Sequence, residues 1–161
     1  MEGRILMKVH IRTAKVNDYI AVENIMKEVN TLHIDWRPDI YKNIDPVLPK
    51  DMFMEHLEKE EILVAETDSN QIVGIAIYIT RYVSGGPMVK RKVLFIDSIA
   101  VTEDFRGKGV GHNLLDHIRM LCKKHQYDGL ELQVNARNTA AKAMYEKYGF
   151  TEKSINMEFL F

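Results

Sequence analysis

The sequence predicts an α/β fold in which helices flank one mixed sheet, and three observations support this prediction. A buried strand at Leu94–Val101 is followed by a basic glycine-rich turn and then by a helix. A second strand and helix follow within Gly129–Lys147, and a hairpin at Ile62–Thr80 precedes them. Strands that surround two crossover helices favour a mixed sheet in a single domain.

Six stretches predict strands, because each is rich in β-branched residues or alternates apolar and polar positions. In chain order the strands are expected at Lys8–Thr13, Ile62–Glu66, Ile72–Thr80, a stretch after Pro87 that ends at Val101, Gly129–Asn135 and Thr151–Phe161. Turn residues at Asp68–Asn70 and Ser84–Pro87 separate consecutive strands. We expect residues 1–7 to be a short extension and residues 8–161 to be a single domain.

Helices are predicted where apolar residues recur at helical spacing and capping residues precede them. They are expected from Asn17 or Asp18 to about Leu32, at Asp51–Lys59, at Val110–Cys122 and at Ala136–Lys147. Three prolines within His33–Pro49 predict irregular structure there. Gly149 follows the last helix as an expected left-handed C-cap.

The composition is an ordinary globular one and excludes several classes of protein. Lys and Arg total 22 against 23 for Asp and Glu, which gives a net charge of −1, so we expect no nucleic-acid partner. The single cysteine, Cys122, rules out an intrachain disulfide. The chain lacks a run of about 18 apolar residues and a signal-peptide pattern, so we expect no membrane partner and a cytoplasmic location.

The turn Arg106–Gly111 (RGKGVG) has the features of an anion site. Backbone N–H groups at the start of a helix lack an intrahelical acceptor, and the helix dipole adds about half a positive charge there. Glycine allows a bulky phosphate to approach because no Cβ intervenes. The turn therefore predicts a ligand with phosphate groups, and a glycine-rich turn without a ligand is the alternative.

The glycine spacing excludes two common nucleotide motifs. The dinucleotide fingerprint needs a third glycine where this chain has His112, and the Walker loop needs Ser or Thr where it has Gly109. Instead, the spacing R-x-x-G-x-G after a strand that ends at Ile99–Val101 resembles motif A of the GCN5-related N-acetyltransferase (GNAT) superfamily. In that family this turn holds the pyrophosphate of coenzyme A.

The segment Asn135–Phe150 resembles motif B of the same family. Its pattern N-x-x-A-x-x-x-Y, formed by Asn138, Ala141 and Tyr145, leads into Gly149-Phe150. The resemblance extends from about Val9 to the end of the chain. It implies a GNAT-like fold, with a central, mostly antiparallel sheet that is flanked by helices and whose fourth and fifth strands are parallel and splay apart.

The resemblance also implies that acetyl-CoA binds between the two motifs. The turn would hold the pyrophosphate, the preceding strand would pair with the pantetheine arm, and Asn138 would hydrogen-bond that arm. Asn138, Ala141 and Tyr145 share one helix face, where the small Ala141 leaves a groove. The expected cofactor-binding residues are Ile99, Ala100, Val101, Arg106, Gly107, Lys108, Gly109, Val110, Gly111, Asn138, Ala141 and Tyr145. We expect no metal ion.

The implied reaction is direct attack of an amine on the acetyl thioester in a ternary complex. The tetrahedral oxyanion can be stabilised by backbone N–H groups. Tyr145 matches the general acid of the family by position, and a phenol with a pKa near 10 suits a departing thiolate. The alternative is that Tyr145 is a core aromatic, although Tyr148 fits that role better. Cys122 lies on the apolar face of a helix, which argues against a covalent acyl-enzyme route.

Two residues are candidates for the general base. Asp97 shares a strand face with Ile99 and Val101 and can accept the amine proton through water, and a solvated strand edge is the alternative for this carboxylate. His33 is the second candidate. His33 and Trp36 lie where the family builds its acceptor pocket, and we expect both to bind the substrate.

We therefore predict an acetyl-CoA-dependent N-acetyltransferase that acts on a primary amine. Four acidic residues favour a cationic small molecule, and a protein amine remains open as the acceptor; the four are Asp35, Asp39, Asp45 and Asp97. The alternative is a non-catalytic acyl-CoA-binding sensor or interaction module. A homodimer is compatible with the sequence, which does not fix the oligomeric state.

Overall fold

Five strands form one sheet, and helices pack against both of its faces. The computed structural model describes residues 7–161, so the expected extension at residues 1–7 lies outside the described residues except for Met7. The strands are β1 (His10–Thr13), β2 (Ile62–Glu66), β3 (Ile72–Gly85), β4 (Met88–Val101) and β5 (Gly129–Leu132). The helices are α1 (Tyr19–Trp36), α2 (Lys50–Glu58), α3 (Val110–Lys124) and α4 (Thr139–Tyr148).

The strands lie in the order β1-β2-β3-β4-β5. The pairs β1–β2, β2–β3 and β3–β4 are antiparallel, and only β4 and β5 are parallel. A parallel pair needs a crossover connection, which α3 provides between β4 and β5. The mixed, mostly antiparallel sheet that the sequence predicted is therefore confirmed.

Alternate residues of the central strands pack into two different cores. Leu63 and Ala65 of β2 belong to the core that contains α3 and α4. Ile62 and Val64 belong to the core that contains α1 and α2, including the buried Phe53. Burial of both faces explains why β2 and the first half of β3 are almost continuously apolar in the sequence.

Helix α1 extends further than the sequence predicted and includes both His33 and Trp36. The prediction of irregular structure from His33 onwards was therefore wrong for these four residues. The helix ends where Arg37 precedes Pro38, because a proline ring disfavours helical backbone at the residue before it. Residues 38–49 are irregular, as expected.

The predicted last strand, Thr151–Phe161, was wrong. These residues form neither helix nor strand, and all are exposed. Their apolar alternation predicts one face of a strand, but it does not supply a neighbouring strand with which to pair. Within the described residues, β5 pairs with β4 alone.

Three smaller differences concern the ends of elements. The β3–β4 hairpin is longer than expected and reaches Gly85 and Met88. Strand β5 ends at Leu132, and α4 begins after its capping residue Asn138.

Among residues 7–161, no helix has both the length and the apolar composition needed to cross a membrane.

Candidate active site

Strands β4 and β5 pair over only four residues and then separate. Their pairing runs from Val93 with Gly129 to Ile96 with Leu132. Beyond Ile96, β4 continues to Val101 and pairs with β3 alone. In the described part of the chain, one backbone edge of β4 at residues 97–101 therefore has no neighbouring strand. An open strand edge can bind an extended ligand as it would bind another strand.

The turn that follows β4 presents unpaired backbone N–H groups. Gly107 and Gly109 have φ values of 72° and 87°, in the left-handed region that favours glycine. Among residues 7–161, the N–H groups of residues 107–112 donate no hydrogen bond, and the first donor is Asn113, to the carbonyl of Gly109 at 3.0 Å. These N–H groups lie at the positive end of the α3 dipole, which favours an anion there.

Arg106 folds back and fixes the start of the turn. Its Nε donates to the carbonyl of Val101 at 2.9 Å, and its Nη2 lies 3.5 Å from the carboxylate of Glu28 in α1. Glu28 also accepts a hydrogen bond from the N–H of Glu103 at 3.2 Å. Arg106 therefore positions the turn and keeps its positive charge, partly exposed, at the start of that turn.

Helix α4 lies beside the turn. A Cβ placed on Gly111 would lie 3.7 Å from Sδ of Met144 and 3.9 Å from Cγ2 of Val101. At the start of α4, Asn138 accepts a hydrogen bond from the N–H of Ala141 at 3.2 Å, and its amide N–H₂ has no partner within residues 7–161. The structure thus brings together the end of β4, the turn and α4, which carry the cofactor-binding residues expected from the sequence.

Tyr145 is buried, with 8% of its surface exposed. Its ring packs edge-to-face on Phe150, with the ring centroids 5.7 Å apart. Burial raises the pKa of Tyr145 to about 12, and its hydroxyl has no hydrogen-bond partner among the described residues. The structure therefore gives Tyr145 the packing of a core aromatic together with a protonated hydroxyl that is free to donate.

Tyr148 was expected to be the core aromatic, and the structure packs it, only partly buried, against the core that contains α3 and α4. Its side chain is partly exposed, and its hydroxyl donates to Asp116 of α3 at 2.7 Å. The rings of His112 and Tyr148 also pack edge-to-face, at a centroid distance of 4.9 Å. Tyr148 therefore links α3 and α4 through a polar contact.

Asp97 occupies a β-bulge at the point where β4 leaves β5. Ser98 pairs with Ile77 and Ile96 pairs with Tyr78, so Asp97 has no partner residue in β3. Its side chain is exposed, which removes the desolvation cost of a carboxylate in an apolar strand. Bulges redirect side chains and often lie beside active sites. Asp97 is thus a solvated carboxylate at the mouth of the split between β4 and β5.

His33 and Trp36 form an aromatic cluster with Tyr41 at the end of α1. The His33 ring centroid lies 5.7 Å from that of Trp36 and 4.8 Å from that of Tyr41. Burial lowers the pKa of His33, which keeps its imidazole neutral near pH 7. His33 lies five residues beyond Glu28, or about 7.5 Å along the helix axis. In the described part of the chain, no hydrogen bond joins His33 or Trp36 to the turn.

Two glutamates of α1 that no sequence motif singles out hold the loops around the site. Glu28 contacts the turn, as described above. Glu23 is buried and accepts hydrogen bonds from the N–H groups of Val47 and Leu48, each at 2.8 Å. The partners of both glutamates lie far away in the chain, so only the structure reveals their role.

No cluster of three or more His, Cys, Asp or Glu side chains is arranged to bind a metal ion within residues 7–161. Burial raises the pKa of the Cys122 thiol, which keeps it protonated at neutral pH. Cys122 lies in the core with α3 and not at the turn. The candidate groups described above are the backbone N–H groups of the turn, the phenol of Tyr145, the carboxylate of Asp97 and, at the end of α1, the imidazole of His33.

Comparison with known proteins identifies the family. The model of the Acetyltransferase (GNAT) family matches residues 27–150. The ribosomal protein bS18-alanine N-acetyltransferase of Escherichia coli (strain K12) is 39% identical over 62 residues, which are 38% of this chain and 42% of that enzyme. The chain thus matches less than half the length of that relative. The peptidyl-lysine N-acetyltransferase YjaB of Salmonella typhimurium is 28% identical over 117 residues, which are 73% of this chain and 68% of that enzyme.

Solved structures share the fold of this chain. A single-site mutant of the BH1408 protein from Bacillus halodurans superimposes with a TM-score of 0.91 at 30% identity, over 94% of this chain and 99% of that one. The aminoglycoside 6'-N-acetyltransferase AAC(6')-Ih of Acinetobacter baumannii, at 16% identity and a TM-score of 0.71, shares the fold over 95% of this chain and 97% of that one. With a family match over most of its length and a splayed β4–β5 pair, this chain belongs to the GNAT family of acetyltransferases.

Proposed function

We propose that this protein transfers the acetyl group of acetyl-CoA to a primary amine by direct attack in a ternary complex. One observation carries the proposal. The unpaired edge of β4 at residues 97–101 leads directly into a turn whose N–H groups, at residues 107–112, are also unpaired within the described residues. A thioester on a long arm that ends in a pyrophosphate is complementary to a strand edge followed by an anion site.

The donor would be held by the residues that the two motifs predicted. The N–H groups of residues 107–112 and the start of α3 suit the pyrophosphate. The open edge of Ile99–Val101 suits the amide groups of the pantetheine arm, and the amide N–H₂ of Asn138 suits one of its carbonyls. A Cβ on Gly111 would lie within van der Waals distance of Met144 and Val101, so a larger side chain there would enter the space between α4 and the end of β4, where we propose that the arm lies.

In the proposed reaction, the amine nitrogen attacks the acetyl carbonyl carbon and forms a tetrahedral oxyanion. Backbone N–H groups along the open edge of β4 would stabilise that oxyanion. The C–S bond then breaks, and the phenol of Tyr145 donates its proton to the departing thiolate. The high pKa of Tyr145 keeps the phenol protonated before the transfer. Because the Cys122 thiol is buried and protonated, we propose no acyl-enzyme intermediate.

The amine must lose a proton before or during its attack. Asp97 is our first candidate for the base, because it is exposed at the mouth of the split and can accept the proton through water. His33 is the second candidate, since burial keeps its imidazole neutral and able to accept a proton. Substitution of each residue separately distinguishes them, because only loss of the true base removes the acid-side limb of the pH–rate profile.

We propose that the acceptor binds beside the aromatic cluster of His33, Trp36 and Tyr41. The acceptors in the names of the two sequence relatives are an alanine of a ribosomal protein and a peptidyl lysine, which supports an amine as the acceptor here. A cationic amine could also stack on the aromatic rings of the cluster. The exposed carboxylate of Asp35, next to Trp36 in α1, adds negative charge beside the cluster.

The test is release of free CoA from acetyl-CoA in the presence of a panel of amines. The panel comprises polyamines, aminoglycosides and short peptides with a free N-terminus or lysine. We expect at least one amine to accelerate CoA release, with the acetylated amine detected by mass spectrometry. Binding of acetyl-CoA with no turnover on any amine would favour a non-catalytic acyl-CoA sensor instead.

A further inference from the structure

Strands β3 and β4 continue beyond the rest of the sheet as a two-stranded ribbon. The pairing of β3 with β2 ends at Ile77, and the pairing of β4 with β5 begins at Val93. Residues 78–85 of β3 and 88–92 of β4, here called the ribbon, therefore form strand pairs only with each other within the described residues. All of them are exposed or partly exposed, so the ribbon is a surface that other molecules can reach.

The ribbon carries four cations and no carboxylate of its own. Arg91 lies 3.6 Å from the carboxylate of Glu131 in β5. The other three, Arg81, Lys90 and Lys92, form no ion pair with any side chain among residues 7–161. Because the whole chain has a net charge of −1, the structure concentrates positive charge at a place that the composition alone does not reveal.

Aromatic rings hold two of these cations in place. Cζ of Arg81 lies 3.3 Å from the centroid of the Phe95 ring, and the ammonium of Lys92 lies 4.2 Å from that of the Tyr127 ring. Lys92 also donates to the carbonyl of His125 at the end of α3, at 3.0 Å. Because packing already restricts both side chains, they lose less conformational entropy when an anion binds them.

One edge of the ribbon presents backbone groups that can pair with a further strand. The N–H of Tyr78 points away from β4 and donates to the carbonyl of Glu61 at 3.0 Å. An antiparallel strand alternates the direction of its hydrogen bonds, so the N–H and C=O groups of Thr80 and Tyr82 point the same way. In the part of the chain that the structure describes, no neighbouring strand reaches them. Such an edge can bind an extended polypeptide as an added strand.

A hollow of about 450 Å³ opens on the ribbon, and its lining includes Tyr82, Ser84, Lys90 and Lys92. The one carboxylate in the lining belongs to Asp128, which already accepts the backbone N–H of Lys92 at 2.7 Å. The side chain of Tyr82 is 77% exposed. Tyrosine and arginine are enriched where proteins bind one another, so the ribbon combines the composition of an interface with positive charge.

We propose that the ribbon binds an acidic, extended segment of a partner polypeptide, which adds as a strand to the edge of β3 at Thr80–Tyr82. Carboxylates of that segment would lie near Arg81, Lys90 and Lys92. A polypeptide fits better than a nucleic acid, because its backbone can pair with the open edge and because the chain as a whole lacks the positive charge of nucleic-acid-binding proteins. The proposal does not depend on acetyl transfer.

The test is the fluorescence anisotropy of a rhodamine-labelled short peptide that alternates Glu and Thr, titrated with the full chain to about 300 μM, a range suited to weak association. The same peptide with Gln in place of Glu removes the charge. A form with methylated backbone nitrogens keeps the charge but lacks the N–H donors of a strand. Single-stranded oligouridylate and acetyl-CoA are added separately as competitors. Lys92 lies nine residues before Val101, or about 30 Å along β4, so a peptide on the ribbon leaves the glycine-rich turn free.

Two variants remove positive charge from the ribbon. Lys90→Glu changes an exposed side chain, and Lys92→Met keeps a side chain of similar length over the Tyr127 ring. Lys50→Glu, at the exposed start of α2, makes the same charge change elsewhere and is the matched control. Circular dichroism verifies that all three variants fold.

We expect saturable binding of the Glu peptide that weakens as salt is added, and much weaker binding of the Gln and methylated peptides. Each ribbon variant should weaken binding about three- to tenfold, while Lys50→Glu should bind like the wild type. No binding of the Glu peptide would overturn the proposal, as would undiminished binding of the methylated form or equal losses in the control. Displacement by acetyl-CoA would place the peptide at the turn instead, and tighter binding of oligouridylate would identify a nucleic-acid surface; either result would also overturn it.

Discussion

The carboxylate of Glu28 lies 3.5 Å from the guanidinium of Arg106 and connects α1 to the glycine-rich turn. The same carboxylate accepts a hydrogen bond from the N–H of Glu103. A helix on one face of the sheet therefore helps to hold the loop that precedes a helix on the other face. This contact gives α1 a part in shaping the proposed anion site, besides the part that we propose for it in binding the acceptor.

The first prediction concerns this contact. Glu28→Ala removes the acceptor of the Glu103 N–H and the partner of Arg106, so the turn should become less ordered. Because both side chains are partly exposed, we expect only about a two- to fivefold loss of acetyl-CoA affinity. Calorimetric titration measures the affinity of each variant for acetyl-CoA. Glu55→Ala, an exposed glutamate of α2, is the control and should leave the affinity unchanged; an equal effect of both variants would contradict this role for Glu28.

The second prediction is that Tyr145→Phe lowers turnover by roughly two orders of magnitude, which is typical for loss of a general acid. The ring and its packing on Phe150 remain, so the fold and acetyl-CoA affinity should be preserved. Tyr148→Phe is the matched control, because it removes a hydroxyl from the same helix that bonds only Asp116. Tyr145→Phe turnover at the wild-type rate would show that the proton comes from water or from the ammonium of the acceptor.

The pH dependence of turnover offers a third prediction. Burial raises the pKa of Tyr145 to about 12, so the phenol stays protonated through the accessible alkaline range. Ionisation of Tyr145 should therefore cause no fall in the rate below about pH 11, one unit below that pKa. On the acid side, the rate should rise as the amine and the base lose their protons. A descending limb near pH 10 that disappears in Tyr145→Phe would mean that the hydroxyl is less buried in the complex than in the free protein.

The fourth prediction assigns Trp36 to the acceptor. Trp36→Ala should raise the Michaelis constant for the amine and leave the affinity for acetyl-CoA nearly unchanged, because the aromatic cluster makes no hydrogen bond to the turn within the described residues. Steady-state kinetics at varied amine and acetyl-CoA provides both values. Equal losses for the two substrates, together with a lower unfolding midpoint, would identify Trp36 as a structural residue.

The fifth prediction concerns the close approach of β3 to α3 at Gly74. A Cβ at this position would lie 2.9 Å from Cγ1 of Val110 and 3.3 Å from the carbonyl oxygen of Ala100. Gly74→Ala should therefore lower the free energy of unfolding by about 1 to 3 kcal/mol, as overpacking of a core does. Urea denaturation measures the free energy of unfolding of each variant. Gly129→Ala, where the nearest atom would be 3.9 Å away, is the control, and similar losses in both variants would contradict the explanation.

The sequence could predict the parts of the fold whose pattern is local. The glycines of the turn need left-handed backbone at Gly107 and Gly109, and the apolar face of α3 is regular, so both were recognised from the sequence alone. The last helix was also recognised, although it was expected from Ala136, and the structure makes Asn138 its N-cap instead of a residue within the helix. In each case the residues that form the feature are neighbours in the chain.

The features that the sequence could not predict depend on partners far away in the chain. The segment Thr151–Phe161 has the alternation of a strand, but whether it pairs depends on a free sheet edge. The end of α1 was placed too early because the first proline, Pro38, lies beyond the helix and restricts Arg37, which leaves His33–Trp36 free to be helical. The full burial of Tyr145 and the partial burial of Tyr148 depend on how α4 is rotated against Phe150 and α3, which spacing along the helix does not determine.

Titration of acetyl-CoA into the protein tests the central claim most directly, namely that the open edge of β4 and the glycine-rich turn hold this donor. We expect saturable binding to the wild type, and a stabilisation against unfolding of about 2.7 kcal/mol at one hundred times the dissociation constant. Gly111→Glu should abolish both effects, and Ser84→Glu, which adds the same charge at the hairpin tip, should change neither. No binding to the wild type, or unchanged binding to Gly111→Glu, would contradict the account.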